Sequence, residues 1–144
     1  VSDTPKHSVS VAGVVVDDER VLLIRRRDNG RWEAPGGVLE LGETFEDGVE
    51  REVLEETGVA IAVERLTGTY KNLSRGVVTL VFRCRPLSGT PHPTDESADA
   101  EWVELPDALR RMGEVYAVRV SDAFAERPAV RNHDGVTVTR SLPS

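Results

Sequence analysis

Residues 37–59 read GVLELGETFEDGVEREVLEETGV, and the fold turns on them. Thr44 is a candidate N-cap, with Glu46 and Asp47 in the first turn, where the helix dipole favours acids; Asp47 also holds the acidic capping-box position. Phe45, Val49 and Val53 recur every four residues, which is helical spacing. Gly58 falls where a helix ends in a left-handed turn. The stretch predicts one long helix behind a glycine-bearing loop.

The same stretch carries the charge of the whole chain. The 144 residues hold 25 acids and 18 bases, a formal net charge of −7. Residues 40–56 contain eight acids (Glu40, Glu43, Glu46, Asp47, Glu50, Glu52, Glu55 and Glu56) and one base, Arg51. The excess is therefore local, and everything outside it balances. Glu52, Glu55 and Glu56 stand at i, i+3 and i+4, so they share one helix face. Like charges so placed repel by about 0.2–0.5 kcal/mol per pair. A solvated acidic face is one explanation, but such faces normally mix in Lys or Arg. A hard divalent cation, Mg²⁺ or Mn²⁺, explains the density better, because these ions take oxygen ligands. The Gly36-Gly37 pair ahead of the helix either makes a plain tight turn or lets a backbone carbonyl face that metal.

Outward from this segment, Val-rich residues 8–16 and the run Val21–Ile24 read as a hairpin across Asp17-Asp18-Glu19. Asp28-Asn29-Gly30 is a turn signal, and Pro35-Gly36-Gly37 reads as a shaped loop. Val59–Tyr70 and Val77–Arg85 read as strands, Pro86–Ala98 as a loop, and Ala100–Leu105 as a short strand. Pro106 opens a helix to Met112, Val115–Glu126 is a second helix, and Asp134-Gly135 turns into an extended Val136–Thr139. The order predicts α/β (α+β) architecture in one domain over 1–144.

The totals exclude other classes. With 39% apolar and 30% charged residues the chain is composed like an ordered globular protein. No apolar run approaches the length of a membrane span. Val1–Ser10 has no apolar h-region, so no secretory leader is seen, and the absence of Met at position 1 suggests trimming. The single cysteine, Cys84, sits in an apolar strand-like run and reads as a small buried hydrophobe. A cytoplasmic location is the expectation. The balance is not basic, which disfavours a stable nucleic acid complex.

Gly37, Glu43 and then Arg51-Glu52-Val53-Leu54-Glu55-Glu56-Thr57-Gly58-Val59 match Gly-x5-Glu-x7-Arg-Glu-U-x-Glu-Glu-x-Gly-U, with U a bulky aliphatic. This pattern resembles the Nudix box at every specified position. The probability of a chance match is on the order of 10⁻⁸ at average residue usage. The resemblance spans roughly residues 8–112, including Trp32–Pro35, Glu101-Trp102-Val103 and Leu105-Pro106, and thins over the C-terminal helix and tail, 113–144.

The resemblance implies a mixed β-sheet sandwiched between helices. It also implies Mg²⁺-dependent hydrolysis of a phosphoanhydride in a nucleoside diphosphate linked to another group, with Mn²⁺ as a substitute. By position, Glu52, Glu55 and Glu56 resemble metal ligands, and Gly36 the residue whose carbonyl joins them. Glu52, Glu55 and Arg51 are the catalytic candidates, with Glu52 the first choice of general base inside the box; other members use a carboxylate from a distant loop. Glu43 and Arg51 resemble a pair bracing loop against helix, and Gly37, Glu43 and Gly58 are structural positions of the box. Glu96, six residues before Trp102, resembles a metal-binding Glu of mutator-type hydrolases and is preferred over Asp95, Asp99 and Glu101. Arg25 and Arg27, on one face of the second strand by alternation, are candidate phosphate contacts. Tyr70 is a candidate to stack on a base, with core packing the alternative for it and for Trp32, Phe82 and Trp102. His7, His92 and His133 match no ligand spacing.

The expected partner is a nucleotide-type small molecule, with no membrane. The segment after Met112 is a candidate homodimer contact or lid. Markers of ADP-ribose, dinucleoside polyphosphate and coenzyme A subfamilies are missing downstream of the box. Elimination leaves a nucleoside triphosphate pyrophosphohydrolase ahead of an ADP-ribose or ADP-sugar pyrophosphatase. A non-catalytic nucleotide sensor is the alternative of another class, and such proteins usually lose box carboxylates that this chain retains.

Overall fold

Strand β1 (Ser8–Asp17) is the spine of the computed structural model, which describes residues 3–139. The outermost part of the expected tail, 140–144, lies outside the described residues, as do Val1 and Ser2. One edge of β1 pairs in parallel with β6 (Val77–Ser88) from Ser8↔Val77 to Val15↔Cys84. Antiparallel to β6 runs β5 (Ala60–Asn72), and β8 (Ala129–His133) adds in parallel at the outer edge of β5.

The other edge of β1 forks. Ser10, Val11 and Ala12 pair with β4 (Gly36–Val38), whereas Val16 and Asp17 pair with β2 (Arg20–Arg26). Asp18 turns the β1–β2 hairpin with φ +58°, a left-handed conformation that Asp tolerates. β2 carries β7 (Ser97–Glu104) along its length and β3 (Trp32–Glu33) at its end.

Helix α1 (Phe45–Thr57) starts and stops where the sequence predicts. The Asp47 N–H donates to Thr44 Oγ1 at 3.1 Å, and Gly58, at φ +80°, donates its N–H to the Leu54 carbonyl at 2.9 Å. Its apolar stripe packs on one face of the sheet. Val49 and Val53 are fully buried among Val11, Val15, Phe82 and Cys84. Each contributes about 1.5–3 kcal/mol by leaving water. Cys84 is the small buried hydrophobe expected, and burial pushes its thiol up to about 12. On the opposite face lie α2 (Leu105–Arg111) and α3 (Glu114–Asp122), with Met112, Val120 and Ala123 against Val14, Leu23, Tyr70 and Val81. The expected sandwich of a mixed sheet between helices is the fold found.

Three elements differ from expectation. Gly36–Val38 is a strand rather than a shaped loop. A Cβ on Gly36 would stand 2.4 Å from the Val11 carbonyl oxygen, so only glycine can pair with β1 this closely. α3 ends at Asp122 rather than Glu126, because Arg65 and Arg83 take the Ala123 carbonyl and Arg65 also takes that of Ala125. Strand β8 was not expected at all. The Asp134-Gly135 turn follows it, with the Asp134 carboxylate accepting the N–H groups of Val136 and Thr137, and Val138 bridges back to His133. No helix among the described residues is long and apolar enough to cross a membrane.

Candidate active site

Arg51 organises the box. Its Nη2 and Nε donate to the two oxygens of Glu43 at 2.5 and 2.9 Å, and Nη2 also reaches the Val38 carbonyl at 3.2 Å. Its Nη1 donates to Glu52 at 2.8 Å and Glu55 at 3.4 Å. Glu43 also accepts the Glu40 N–H at 2.8 Å. These hydrogen bonds, Arg51 first, hold the Glu43 carboxyl down to about 2. The loop before α1 is thus tied to the helix by a bidentate fork.

Beyond the fork, Glu52, Glu55 and Glu96 converge, with one carboxylate oxygen of each within 4.8 Å of the others. Glu52 is 8% exposed. Burial raises its pKa, Arg51 opposes the rise, and Glu55 and Glu96 add to it. Three carboxylates this close, one of them desolvated, form a site that a divalent metal could occupy. Gly37 allows the approach, since a Cβ there would fall 2.6 Å from the Glu52 carboxylate.

Glu56 stands apart from that cluster. Its Oε1 accepts the Gly36 N–H at 2.6 Å, and the side chain is buried. Burial pushes its carboxyl up to about 8, with Glu52, Glu33 and Glu96 adding to the rise and the Gly36 N–H opposing it. Gly36 therefore meets the site through its N–H as well as lining it.

Gly36, Gly37, Glu52, Glu56 and Glu96 line a cleft of about 680 Å³, a size suited to a small-molecule ligand. The arginines are rearranged relative to strand alternation. A bulge in the β2–β7 pairing falls between Arg25 and Arg26, and Arg26 and Arg27 both line the cleft. Arg25, paired with Trp32 on one side and Asp99 on the other, is not among the lining residues. Arg27 donates through Nε and Nη2 to the Thr94 carbonyl, and Thr94 Oγ1 accepts the N–H of Glu96 and of Ser97. Arg27 thereby anchors the loop that delivers Glu96. Arg26 is occupied by Asp28 and Glu33.

Tyr70 does not fit the stacking role. It is 1% exposed, its hydroxyl donates to Asp122 at 2.8 Å, and it lies outside the cleft lining. Burial leaves no ring face open to a base. Several cleft residues were given no role in the sequence reading, among them Glu33, Tyr116, Arg119 and His133. They come from β3, α3 and β8, far apart in the chain, and no spacing rule connects them.

The model of the NUDIX domain family matches residues 6–124. A MutT-like protein of Streptomyces ambofaciens is 57% identical, covering 91% of this chain and 86% of its own length. An ADP-ribose pyrophosphatase of Methanocaldococcus jannaschii is 36% identical over 68% of this chain and 62% of its own length. Among solved structures, a NUDIX hydrolase from Nitrosomonas europaea superposes with a TM-score of 0.77 at 23% identity, over 90% of this chain and 81% of that one. With the box intact, its arginine fork closed and the family model spanning both core faces, this chain belongs to the Nudix family and is a Nudix hydrolase.

Proposed function

We propose that this hydrolase cleaves a phosphoanhydride in a nucleoside diphosphate linked to another group, using Mg²⁺, and that a nucleoside triphosphate, standard or modified, is the preferred substrate. The observation that carries the reading is the convergence of Glu52, Glu55 and Glu96 within 4.8 Å. All three offer hard oxygen donors, the chemistry Mg²⁺ prefers, and Gly37 gives Glu52 the room to join. The fit supports Glu52, Glu55 and Glu96 as the residues that would hold the ion, with Glu56 and Gly36 beside them. When bound, Mg²⁺ supplies charge neutralisation of the phosphates and acidifies a water for attack at phosphorus.

The chain's own residues do the rest. Arg51 fixes the rotamers of Glu52 and Glu55 from behind, which holds the carboxylates in place before substrate arrives. Glu52 is the candidate general base. Arg51 engages its Oε1, and Oε2 has no side-chain hydrogen bond among the described residues. Phosphoryl transfer asks mainly for positioning and charge neutralisation, so no covalent nucleophile is required.

The triphosphate preference draws on the 57% identity to the MutT-like protein and on the missing subfamily markers. An ADP-ribose or ADP-sugar substrate is the second reading, favoured by the relative named for that activity. The test is Mg²⁺-dependent release of pyrophosphate or phosphate across nucleoside triphosphates, ADP-ribose, nucleotide sugars and dinucleotides. Release from triphosphates above all others supports the first reading. Release from ADP-ribose alone supports the second, and no release from any member of the panel defeats both.

A further inference from the structure

Besides the box carboxylates, the cleft is lined by α3 and the strands β5, β6 and β8, through Tyr116, Arg119, Asn72, Thr79 and His133. Two side chains there have unmet hydrogen-bonding capacity. Arg119 makes no ion pair and no side-chain hydrogen bond among the described residues, and its Nε is sealed from solvent without a partner. Its guanidinium lies 5.3 Å from the Tyr70 ring centroid and 5.0 Å from that of Tyr116, so aromatic faces rather than a carboxylate support it. His133 is 4% exposed, and its Nε2 is likewise buried and unpartnered.

The tautomer of His133 follows from its neighbours. The Gly135 N–H donates to Nδ1 at 3.0 Å, so Nδ1 carries no proton. The neutral ring then bears its hydrogen on Nε2, and that N–H is the group left unmatched. Arg119 has donors only. Both unmet groups therefore donate, and a complementary ligand must accept. Unsatisfied buried donors are uncommon in folded proteins, and a cleft is where an absent acceptor belongs.

We propose that Arg119 and His133 form the substrate-reading centre of this cleft and select a nucleobase that presents a keto oxygen over one that presents an amino group. The proposal rests on the reading that the cleft takes a nucleotide. An uncharged keto edge fits better than a second phosphate, because the Glu33 carboxylate, 9% exposed, lines the same cleft and disfavours another dianion. Tyr116 supplies an aromatic wall that suits a planar base. Arginine meets a ring nitrogen and keto oxygen as a fork, whereas an amino group there turns donor against donor.

Inosine and adenosine 5′-monophosphates differ in this respect at one ring position and need no hydrolysis to report. Calorimetric titration of the whole protein with each should give inosine 5′-monophosphate an affinity about tenfold higher or more, the discrimination expected of one forked contact. Arg119→Met and Arg119→Lys should both bring the two affinities together, the lysine variant keeping the charge but losing the fork. With triphosphates, the loss should fall on KM for keto-bearing bases more than on kcat. The Mg²⁺-induced rise in Tm should persist in both variants, which certifies an intact carboxylate cluster.

Equal wild-type affinities, no binding of either monophosphate, or a preference that survives in a folded Arg119→Met would each overturn the proposal. So would a loss that depends on the number of phosphates and not on the base, which would make Arg119 an anion contact. A protein that distinguishes the two monophosphates but hydrolyses no nucleotide would sustain the reading centre and defeat the proposed activity.

Discussion

The Glu52 carboxylate occupies the space that a side chain on Gly37 would fill, 2.6 Å from an ideal Cβ there. The first glycine of the box is thus required by a contact fifteen residues further along the chain rather than by a turn. Gly37→Ala is expected to displace Glu52 and lower turnover by about 10–100-fold, the range for residues that support metal ligands. Circular dichroism should show α1 retained. Wild-type turnover in this variant would separate Glu52 from the chemistry.

Glu55→Gln keeps the shape of the side chain and removes one charge from the cluster with Glu52 and Glu96. Turnover should fall by more than about 100-fold if the cluster holds the ion. Glu56→Gln should also depress turnover strongly, while its amide oxygen still accepts the Gly36 N–H and preserves the fold. Steady-state rates with both variants at saturating Mg²⁺ check this, and near-wild-type rates in both would remove the metal assignment.

Without metal, stability should depend on pH through Glu56. Its carboxyl is raised from 4.5 to about 8 in the folded protein. Between those values the native state holds a proton that the unfolded chain has released. The stability that Glu56 contributes is therefore fully present below pH 4.5 and declines as pH rises towards about 8. Tm followed from pH 5 to pH 8 in chelator should fall, and Glu56→Gln should flatten the trend. Millimolar Mg²⁺ should raise Tm, because it binds the folded carboxylates and not the dispersed ones.

Asp122 joins three elements. It accepts the Tyr70 hydroxyl from β5 and a two-pronged contact from Arg131 of β8, each at 2.8 Å, and is 7% exposed. Asp122→Ala leaves Arg131 and the buried Tyr70 hydroxyl unmatched. Removing one partner of a buried pair costs about 3–5 kcal/mol. Urea denaturation should register a loss of that order, and a change under about 1 kcal/mol, as at a surface pair, would contradict the geometry.

The local elements were legible because their signals are local. Thr44, the four-residue apolar spacing and Gly58 bracket α1 within thirteen residues. Glu96 was reachable from its distance to Trp102, and it does meet Glu52 and Glu55. Arg25 misled because alternation assumes an unbroken ladder, and one bulge after it moved Arg26 and Arg27 to the cleft. Gly36 misled because glycine signals a turn and close approach equally well. β8 was invisible because Ala-Val-Arg-Asn-His has no continuous apolar run and its inward positions, Ala129, Arg131 and His133, are mostly polar, so it exists as a strand through β5. Arg119 and His133 are brought together only by tertiary packing, on helix and strand.

The fork on β1 and the late position of β8 also set an order of assembly. β8 pairs Ala129 with Gly68 and His133 with Asn72, so β5 waits for that partner until nearly all of the described chain has been synthesised. Glu52, Glu55 and Glu96 are all translated earlier, as is β6, the other neighbour of β5. Long-range parallel pairing is slow to form, and a chain emerging from the ribosome meets it last. The carboxylates, and Arg119 on α3, can therefore be in place while His133 is still missing from the cleft. A nascent or truncated chain that stops short of residue 129 would hold the carboxylates and Arg119 but judge what they receive with half of its reading pair.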